Sequence, residues 1–281
     1  MMRTVFPALV FAACTCVSLL CHAAPESQGA QPKGERLAAA STGYEGPKED
    51  LHVYLLIGQS NMAGRAKVPE DMAGVIERCY LLNDKGQWVP AKNPLNLYST
   101  IRKGEGMQKL GPGYSFAIDM LKANPDIRIG LVVNARGGSK VEDWLGEKSK
   151  YYKDVLKRVG QARQTGTLKG VLWHQGESNS GGKWSEGYSG KVKTLVETLR
   201  EDMKLPGLPF VAGEIKQGEQ INEQIGALPK DLKHTAVASS KGLKTYDRWH
   251  FDTKSTLLLG QRYAEQMIGL HAEADEAQAE E

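Results

Sequence analysis

Cysteine is scarce in this sequence, and only one of the four cysteines lies after residue 24. That residue, Cys79, has no partner for an intramolecular disulfide, so the fold must be stabilised by a buried core rather than by cross-links. The spacings typical of zinc sites, Cys-x-x-Cys and His-Glu-x-x-His, are also missing. We therefore expect neither a metal nor another cofactor.

The chain also lacks a strong charge of one sign. Its formal net charge is +3, and the basic residues are dispersed among acidic ones. A nucleic-acid-binding surface would show basic residues clustered along one face or segment. The charge pattern therefore gives no reason to expect a nucleic-acid partner.

The only long apolar run lies near the N-terminus, at residues 5–20. Arg3 precedes it and small residues, Ala23 and Ala24, follow it, which is the pattern of a cleavable signal peptide over 1–24. The run is too short and too poorly flanked for a transmembrane span. We expect a secreted or periplasmic mature protein without a membrane-spanning segment. Lipoprotein anchoring through Cys14 is the alternative.

Composition divides the rest of the chain into three parts. Residues 25–50 are rich in Gly, Ala, Ser, Pro and charge without periodicity, and they predict a disordered linker. Residues 271–281 form an acidic, solvated tail. The segment 51–270 between them has the length of one α/β domain.

Within that domain, strand-like and helix-like segments alternate. This alternation predicts a three-layer α/β/α fold with a central parallel sheet. The predicted strands are 51–57, 128–134, 169–174, 208–214 and 235–239, and the predicted helices are 110–123, 151–164, 184–203 and 254–269. Residues 84–106 show little periodicity, and we expect an irregular insertion near the site that helps to select the substrate.

Ser60 stands where an apolar, β-prone run stops at Gly58. A strand end places a side chain at the carboxyl edge of the sheet, where open α/β sheets bind ligands. Serine is also common in turns for local reasons, so this segment alone leaves a solvated turn residue as the alternative. A nucleophilic serine would need a base, a group that orients the base, and donors for an oxyanion.

Three other segments offer those groups. Asp247 precedes His250 by three residues, so one loop can carry both an orienting carboxylate and a base. Gly137 and Gly138 follow a predicted strand and expose backbone N–H groups at the sheet edge. Gln175 and Glu177 follow another strand and offer an amide and a carboxylate.

Together, these four segments resemble the nucleophile, glycine, third and final sequence blocks of the SGNH (GDSL-like) hydrolase superfamily, in its sialate O-acetylesterase and acetyl xylan esterase branch. The resemblance spans about 51–270 and implies the flavodoxin-like SGNH fold. It implies Ser60 as the nucleophile, His250 as the general base and Asp247 as the orienting carboxylate. The implied oxyanion donors are the N–H of Ser60, that of Gly137 or its competitor Gly138, and the side chain of Gln175.

Glu177 leaves one assignment open. In some relatives a third-block glutamate supports the histidine, and this sequence carries both Glu177 and Asp247. Asp247 is favoured because a carboxylate three residues before the histidine recurs across the superfamily. Glu177 then remains a possible second carboxylate, a substrate contact or a structural residue.

The resulting hypothesis is a secreted serine esterase that uses water to remove O-acetyl groups from carbohydrates. Two alternatives stand beside it: a catalytically inactive carbohydrate-binding protein on the same fold, and an esterase or thioesterase acting on non-sugar esters. The sequence does not identify the acetylated sugar.

Overall fold

The computed structural model of the protein describes residues 43–146 and 148–279. The predicted signal peptide at 1–24 and the first part of the predicted linker lie outside these residues. The described chain forms one seven-stranded sheet. Its strands are β1 (Leu51–Gly58), β2 (Val75–Leu82), β3 (Trp88–Lys92), β4 (Arg128–Ala135), β5 (Thr167–His174), β6 (Phe210–Gly213) and β7 (Thr235–Ala238).

The strand order is β3-β2-β4-β1-β5-β6-β7. Neighbouring strands pair in parallel, except that β3 runs antiparallel to β2. The described helices are α1 (Ser60–Ala63), α2 (Gly113–Ala123), α3 (Lys150–Ala162), α4 (Tyr188–Met203), α5 (Glu219–Asp231) and α6 (Thr253–Ala279). The predicted three-layer α/β/α architecture is thus confirmed, with a mostly parallel sheet.

The central strand β1 explains why the sheet is covered on both faces. Its side chains alternate between two apolar clusters, with Leu55 and Ile57 in one and Tyr54 and Leu56 in the other. Residues of α3, α4 and α5 complete the first cluster, whereas residues of α2 and α6 complete the second. A nearly continuous apolar run is what a parallel strand buried on both faces requires.

The topology places the functional segments together. β4 and β5 are the two neighbours of β1, so the strand order runs outwards from β1 in both directions. Ligands bind at such a switch point, outside the carboxyl ends of the strands. Ser60 follows β1, the two glycines follow β4, and Gln175 and Glu177 follow β5. All of these segments therefore meet at one crevice.

Four elements were not predicted: the single-turn helix α1 and the longer elements β2, β3 and α5. β2 and β3 pair in an irregular register, and β3 contains Pro90, so neither has a regular strand pattern. β3 lies inside residues 84–106, so only part of that segment is irregular. α5 contains Pro229, and its buried apolar residues are few. Pattern reasoning has little to detect in any of these segments.

The ends of the described chain also differ from the sequence-based expectation. The last part of the predicted linker, residues 43–50, contains a short 3-10 helix, and the Tyr44 ring packs edge-on against Tyr80 at 5.4 Å. At the other end, α6 continues through the predicted tail to Ala279.

Cys79 is buried and unpaired. Among the described helices, none combines the length and apolar character needed to cross a membrane.

Candidate active site

Only Gln59 separates Ser60, the first residue of α1, from the end of β1, and Gly58 makes the turn between them possible. Gly58 has a φ of 127°, and a Cβ at this position would lie 2.1 Å from the carbonyl oxygen of His174. Only glycine tolerates both the backbone conformation and the close approach. The backbone N–H of Gln59 donates to the same His174 oxygen at 2.8 Å. The end of β1 is thereby fixed to the end of β5 beside the serine.

The structure brings Ser60, His250 and Asp247 into one hydrogen-bonded row. His250 Nε2 lies 3.0 Å from Ser60 Oγ, and His250 Nδ1 lies 2.7 Å from Asp247 Oδ2. With Nδ1 donating to the carboxylate, Nε2 is the acceptor that faces the hydroxyl. This is the arrangement that general-base activation of a serine requires.

Asp247 also organises its own loop. Its Oδ1 accepts hydrogen bonds from the backbone N–H groups of Trp249 and His250, each at 2.7 Å. Partial burial opposes ionisation, but the bonds from the His250 ring and these two amides lower the pKa of Asp247 below its ordinary value. A carboxylate that stays ionised can hold one imidazole tautomer and stabilise an imidazolium.

The two glycines after β4 have different surroundings. Ser139 N–H donates to Arg136 O at 3.2 Å, and Gly138 has a φ of 78°, so Gly138 occupies the turn position that favours glycine. A Cβ on Gly137 would lie 3.6 Å from Ser60 Cβ and 2.5 Å from Arg65 Nη2. Gly137 is therefore the glycine packed against the serine, while Gly138 shapes the turn.

Gln175 does not reach the cleft, which corrects its prediction as the third oxyanion donor. Its side chain is completely buried, and Nε2 donates to three acceptors: Gln59 Oε1 at 3.0 Å, Ser139 O at 3.1 Å and Asn179 Oδ1 at 2.8 Å. An amide with three acceptors already in place has no N–H left for a substrate. Gln175 instead supports the floor of the site.

Gln59, unlike Gln175, lines the cleft beside Ser60. Its Oε1 accepts from Gln175 Nε2 at 3.0 Å and from Ser178 N–H at 3.2 Å, which fixes the orientation of the amide. No described residue accepts a hydrogen bond from its Nε2. Sequence reasoning missed this residue, although its place next to Ser60 at the end of β1 was an available signal.

Glu177 lies under the cleft without contacting His250. Its Oε1 accepts from Asn61 Nδ2 at 2.6 Å and lies 3.6 Å from His174 Nε2. Burial opposes ionisation here too, yet the His174 ring and the Asn61 amide lower the pKa of Glu177. Of the two candidate carboxylates, the structure thus places only Asp247 against His250.

The residues described above surround a cleft of about 400 Å³. Its lining consists of Gln59, Ser60, Arg65, Lys103, Met107, Gly137, Gly138, Glu177, Ser178, Trp249 and His250. A larger hollow of about 570 Å³ lies at the opposite edge of the sheet, where β1 and β5 begin, and it contains none of these residues. Within residues 43–146 and 148–279, no group of three or more His, Cys, Asp or Glu side chains could hold a metal ion.

Comparison with known families gives a match over residues 50–269, to the model described as carbohydrate esterase, sialic acid-specific acetylesterase. A probable carbohydrate esterase of Arabidopsis thaliana is 28% identical over 246 residues, which cover 77% of this chain and 90% of the plant protein.

Solved structures give a consistent result. An X-ray structure of the Arabidopsis thaliana protein superimposes with a TM-score of 0.70 at 28% identity, covering 79% of this chain and 98% of that one. NanS gives a TM-score of 0.64 at 16% identity, covering 81% and 99% of the two chains. A carbohydrate acetylesterase from Xanthomonas citri gives 0.57 at 19% identity, covering 76% and 55%. The last two likenesses concern the fold alone.

Proposed function

This chain belongs to the sialic acid-specific acetylesterase family of carbohydrate esterases and is a carboxylic ester hydrolase; on that premise, we propose that it deacetylates sugars with Ser60 as its nucleophile. The observation that carries the proposal is the row Ser60, His250 and Asp247, with separations of 3.0 and 2.7 Å. The signal-peptide pattern at 1–24 supports action outside the cytoplasm.

In the first half of the reaction, Ser60 Oγ attacks the acetyl carbonyl carbon while His250 Nε2 takes the hydroxyl proton. The tetrahedral intermediate collapses, His250 returns the proton to the sugar oxygen, and the free sugar leaves. A water molecule then attacks the acetyl group on Ser60, giving up its proton to His250. As the second intermediate collapses, the bond between the acetyl carbon and Ser60 Oγ breaks, His250 returns its proton to Oγ, and acetate leaves. Asp247 stabilises the imidazolium in both halves.

Three donors would stabilise the oxyanion: the N–H groups of Ser60 and Gly137, and the side-chain amide of Gln59. Gln59 is chosen because its Oε1 is held by two donors while its Nε2 has no acceptor among the described residues. Preorganised donors of this kind are among the largest contributions to catalysis, since they need no rearrangement as charge develops.

We expect Gln59→Ala to lower kcat by about 10²- to 10³-fold, the usual cost of losing one oxyanion donor. Gln59→Glu is the matched variant, because its carboxylate still accepts from Gln175 and Ser178 but cannot donate to an oxyanion. It should be at least as damaging as alanine. Steady-state kinetics on a soluble acetyl ester measure both. Near-native kcat in both variants would show that Gln59 is not a donor.

The surface of the cleft suits a sugar. Trp249 lines it, half-buried, with the Arg248 guanidinium 4.6 Å above its ring, and Tyr246 stacks near His250 with 55% of its surface exposed. Aromatic rings with one accessible face and a polar neighbourhood can pack against the apolar face of a sugar ring. Trp249 therefore borders the cleft, and Tyr246 lies beside it against His250.

Two cations in the cleft indicate that the preferred sugar carries a carboxylate. Arg65 is only 9% exposed, and its Nη1 donates to the carbonyls of Gly64 at 2.7 Å and Met107 at 2.9 Å. Lys103 also lines the cleft. Neither cation pairs with a carboxylate in the part of the chain that the structure describes. Because burying an unpaired cation is costly, an anionic substrate group would stabilise Arg65, and the exposed Lys103 could pair with the same group.

The experiment that tests the function measures acetate released by the purified enzyme from acetylated sialic acid, acetylated glucuronic acid and acetylated glucose. We expect turnover of all three, with the higher kcat/KM for the two sugar acids. Absence of turnover on every acetylated sugar, combined with turnover of non-sugar esters, would contradict the proposed function.

Lys103→Ala should weaken the preference for acids without impairing the chemistry. An exposed ion pair contributes up to about 1 kcal/mol, so kcat/KM for the acidic sugars should fall by about two- to fivefold while that for acetylated glucose stays constant. Lys85→Ala, which removes the same charge from the turn between β2 and β3, is the control. An equal loss on acidic and neutral sugars would exclude a carboxylate contact at Lys103.

A further inference from the structure

The loop that carries His250 is shaped mainly by bonds within itself. Asp247 Oδ1 accepts from the backbone N–H groups of Trp249 and His250 in the same loop, and Tyr246 N–H donates to His250 O at 3.0 Å. Thr245 and Phe251 form an isolated antiparallel bridge. Such bonds fix the shape of the loop, but they do not set the distance between His250 and the nucleophile. Bonds to another element must do so.

Asn61, the residue after the nucleophile, supplies two such bonds, in addition to the one that the Tyr246 hydroxyl donates to Arg65 O at 3.2 Å. Its Nδ2 donates to Trp249 O at 3.1 Å, and its Oδ1 accepts from Phe251 N–H at 3.2 Å. Trp249 and Phe251 are the two neighbours of His250 in the chain. One buried amide therefore fixes the backbone on both sides of the base to the element that begins with Ser60.

Glu177 sets the orientation of that amide. An asparagine side chain could turn over and exchange its oxygen and nitrogen, which would break both contacts to the loop. The 2.6 Å bond from Asn61 Nδ2 to Glu177 Oε1 prevents this, because only the NH₂ group can donate to a carboxylate. The Glu177 side chain is 4% exposed, and His174 Nε2 lies 3.6 Å from the same oxygen, Oε1.

We propose that Asn61 is a positioning residue for His250 and that Glu177 acts on the base through Asn61 rather than by direct contact. The inference rests on the proposed function, since it concerns the same base. It gives Glu177 a role that differs from that of Asp247. Asp247 orients the ring of His250, whereas Glu177 orients the Asn61 amide, which in turn fixes the backbone on both sides of His250. Neither residue replaces the other.

Asn61→Ala should lower kcat by about 10- to 100-fold with little change in KM, because misplacing a reacting group by about 1 Å can cost on the order of 10²-fold. Glu177→Ala should give a smaller loss of kcat. Glu177→Gln should retain most of kcat, since a glutamine oxygen can still accept from Asn61. An activated acetyl ester of a simple alcohol serves as the substrate, so the result does not depend on the identity of the sugar.

Two further readouts separate positioning from general destabilisation. The rate at which a sulfonyl fluoride labels Ser60 reports the assembled pair of serine and base, and it should fall with kcat in Asn61→Ala. The NMR resonance of the His250 Nδ1 proton should broaden in the same variant and persist in Glu177→Gln. Asn83→Ala is the matched control, because Asn83 is a buried asparagine whose oxygen accepts from the backbone of Lys85 and Gln87, each at 2.9 Å, outside the cleft. It should lower Tm without slowing the labelling.

A second pair of variants tests the proposal if Asn61→Ala fails to fold. Asn61→Asp places a second carboxylate against Glu177 and should be strongly impaired. Adding Glu177→Gln restores a donor and acceptor pair between the two positions and should recover part of kcat. The proposal is overturned if folded Asn61→Ala keeps kcat within about twofold of the wild type, or if the double variant is no better than Asn61→Asp. If the wild type fails to turn over sugars but these results hold on the simple ester, only the proposed substrate is wrong.

Discussion

Replacement of Ser60 by alanine should lower kcat on an acetylated sugar by on the order of a millionfold, the cost measured when a serine protease loses its nucleophile. The large effect is expected because Ser60 Oγ is the hydroxyl within hydrogen-bond distance of His250 Nε2, at 3.0 Å. The protein should keep its thermal stability, since the hydroxyl has no other hydrogen-bond partner among the described residues. Released acetate and a thermal melt measure the two quantities.

Ser178 provides the matched control for this experiment. It also lines the cleft, but its backbone N–H, rather than its hydroxyl, makes the bond to Gln59 Oε1. Ser178→Ala should therefore retain most of the turnover. If Ser60→Ala is no more impaired than Ser178→Ala, the nucleophile has been assigned wrongly.

Asp247→Asn should lower kcat by about 10⁴-fold, as the equivalent exchange does in a protease triad. The asparagine oxygen can still accept the backbone N–H groups of Trp249 and His250, so the loop should keep its shape. Its NH₂ group, however, would face His250 Nδ1 in place of Oδ2, which now lies 2.7 Å away. The neutral imidazole would then carry its proton on Nε2 and its lone pair on Nδ1, facing the NH₂ group. Nε2 could no longer accept the proton of Ser60.

Glu177→Gln is the comparison for this variant, because it makes the same chemical change at the second carboxylate. We expect a far smaller loss of kcat, since Glu177 contacts Asn61 and His174 but not His250. Steady-state kinetics on a soluble acetylated sugar distinguish the two. A larger loss in Glu177→Gln would make Glu177 the partner of the histidine and Asp247 a structural residue of the loop.

The parts of the fold that sequence patterns predicted are those with strong periodicity. β1, β4 and β5 are apolar runs that end in glycine or polar clusters, and the carboxyl edge of a parallel sheet is the only place where such ends can meet. β2 and β3 pair in an irregular register, and their residues do not alternate in a recognisable way. Helix α6 extends to Ala279 through an acidic segment with no apolar face to reveal it.

The residues of the site also divide into those that sequence motifs predicted and those that they did not. Ser60, Gly137, Asp247 and His250 lie where their motifs suggested, because each follows a strand end or precedes a helix. Gln175 follows the predicted strand, but its amide lies in the floor of the site, where Gln59, Ser139 and Asn179 accept from it. These acceptors come from three different segments of the fold, so the direction of the Gln175 side chain cannot be read from residue order. The hydrogen bonds of Asn61 could not be predicted from the sequence either, because their partners are backbone atoms of residues 188 and 190 positions away.

The most direct test of the central claim is to trap the intermediate. Wild-type enzyme mixed with an acetylated sugar and quenched in acid should carry one acetyl group on the peptide that contains Ser60, as seen by mass spectrometry. The acetyl group should accumulate further in Asp247→Asn if water attack is slowed more than acylation, and it should be missing in Ser60→Ala. Acetate release at the wild-type rate with no acetyl group on Ser60, or with the group on another residue, would contradict the account.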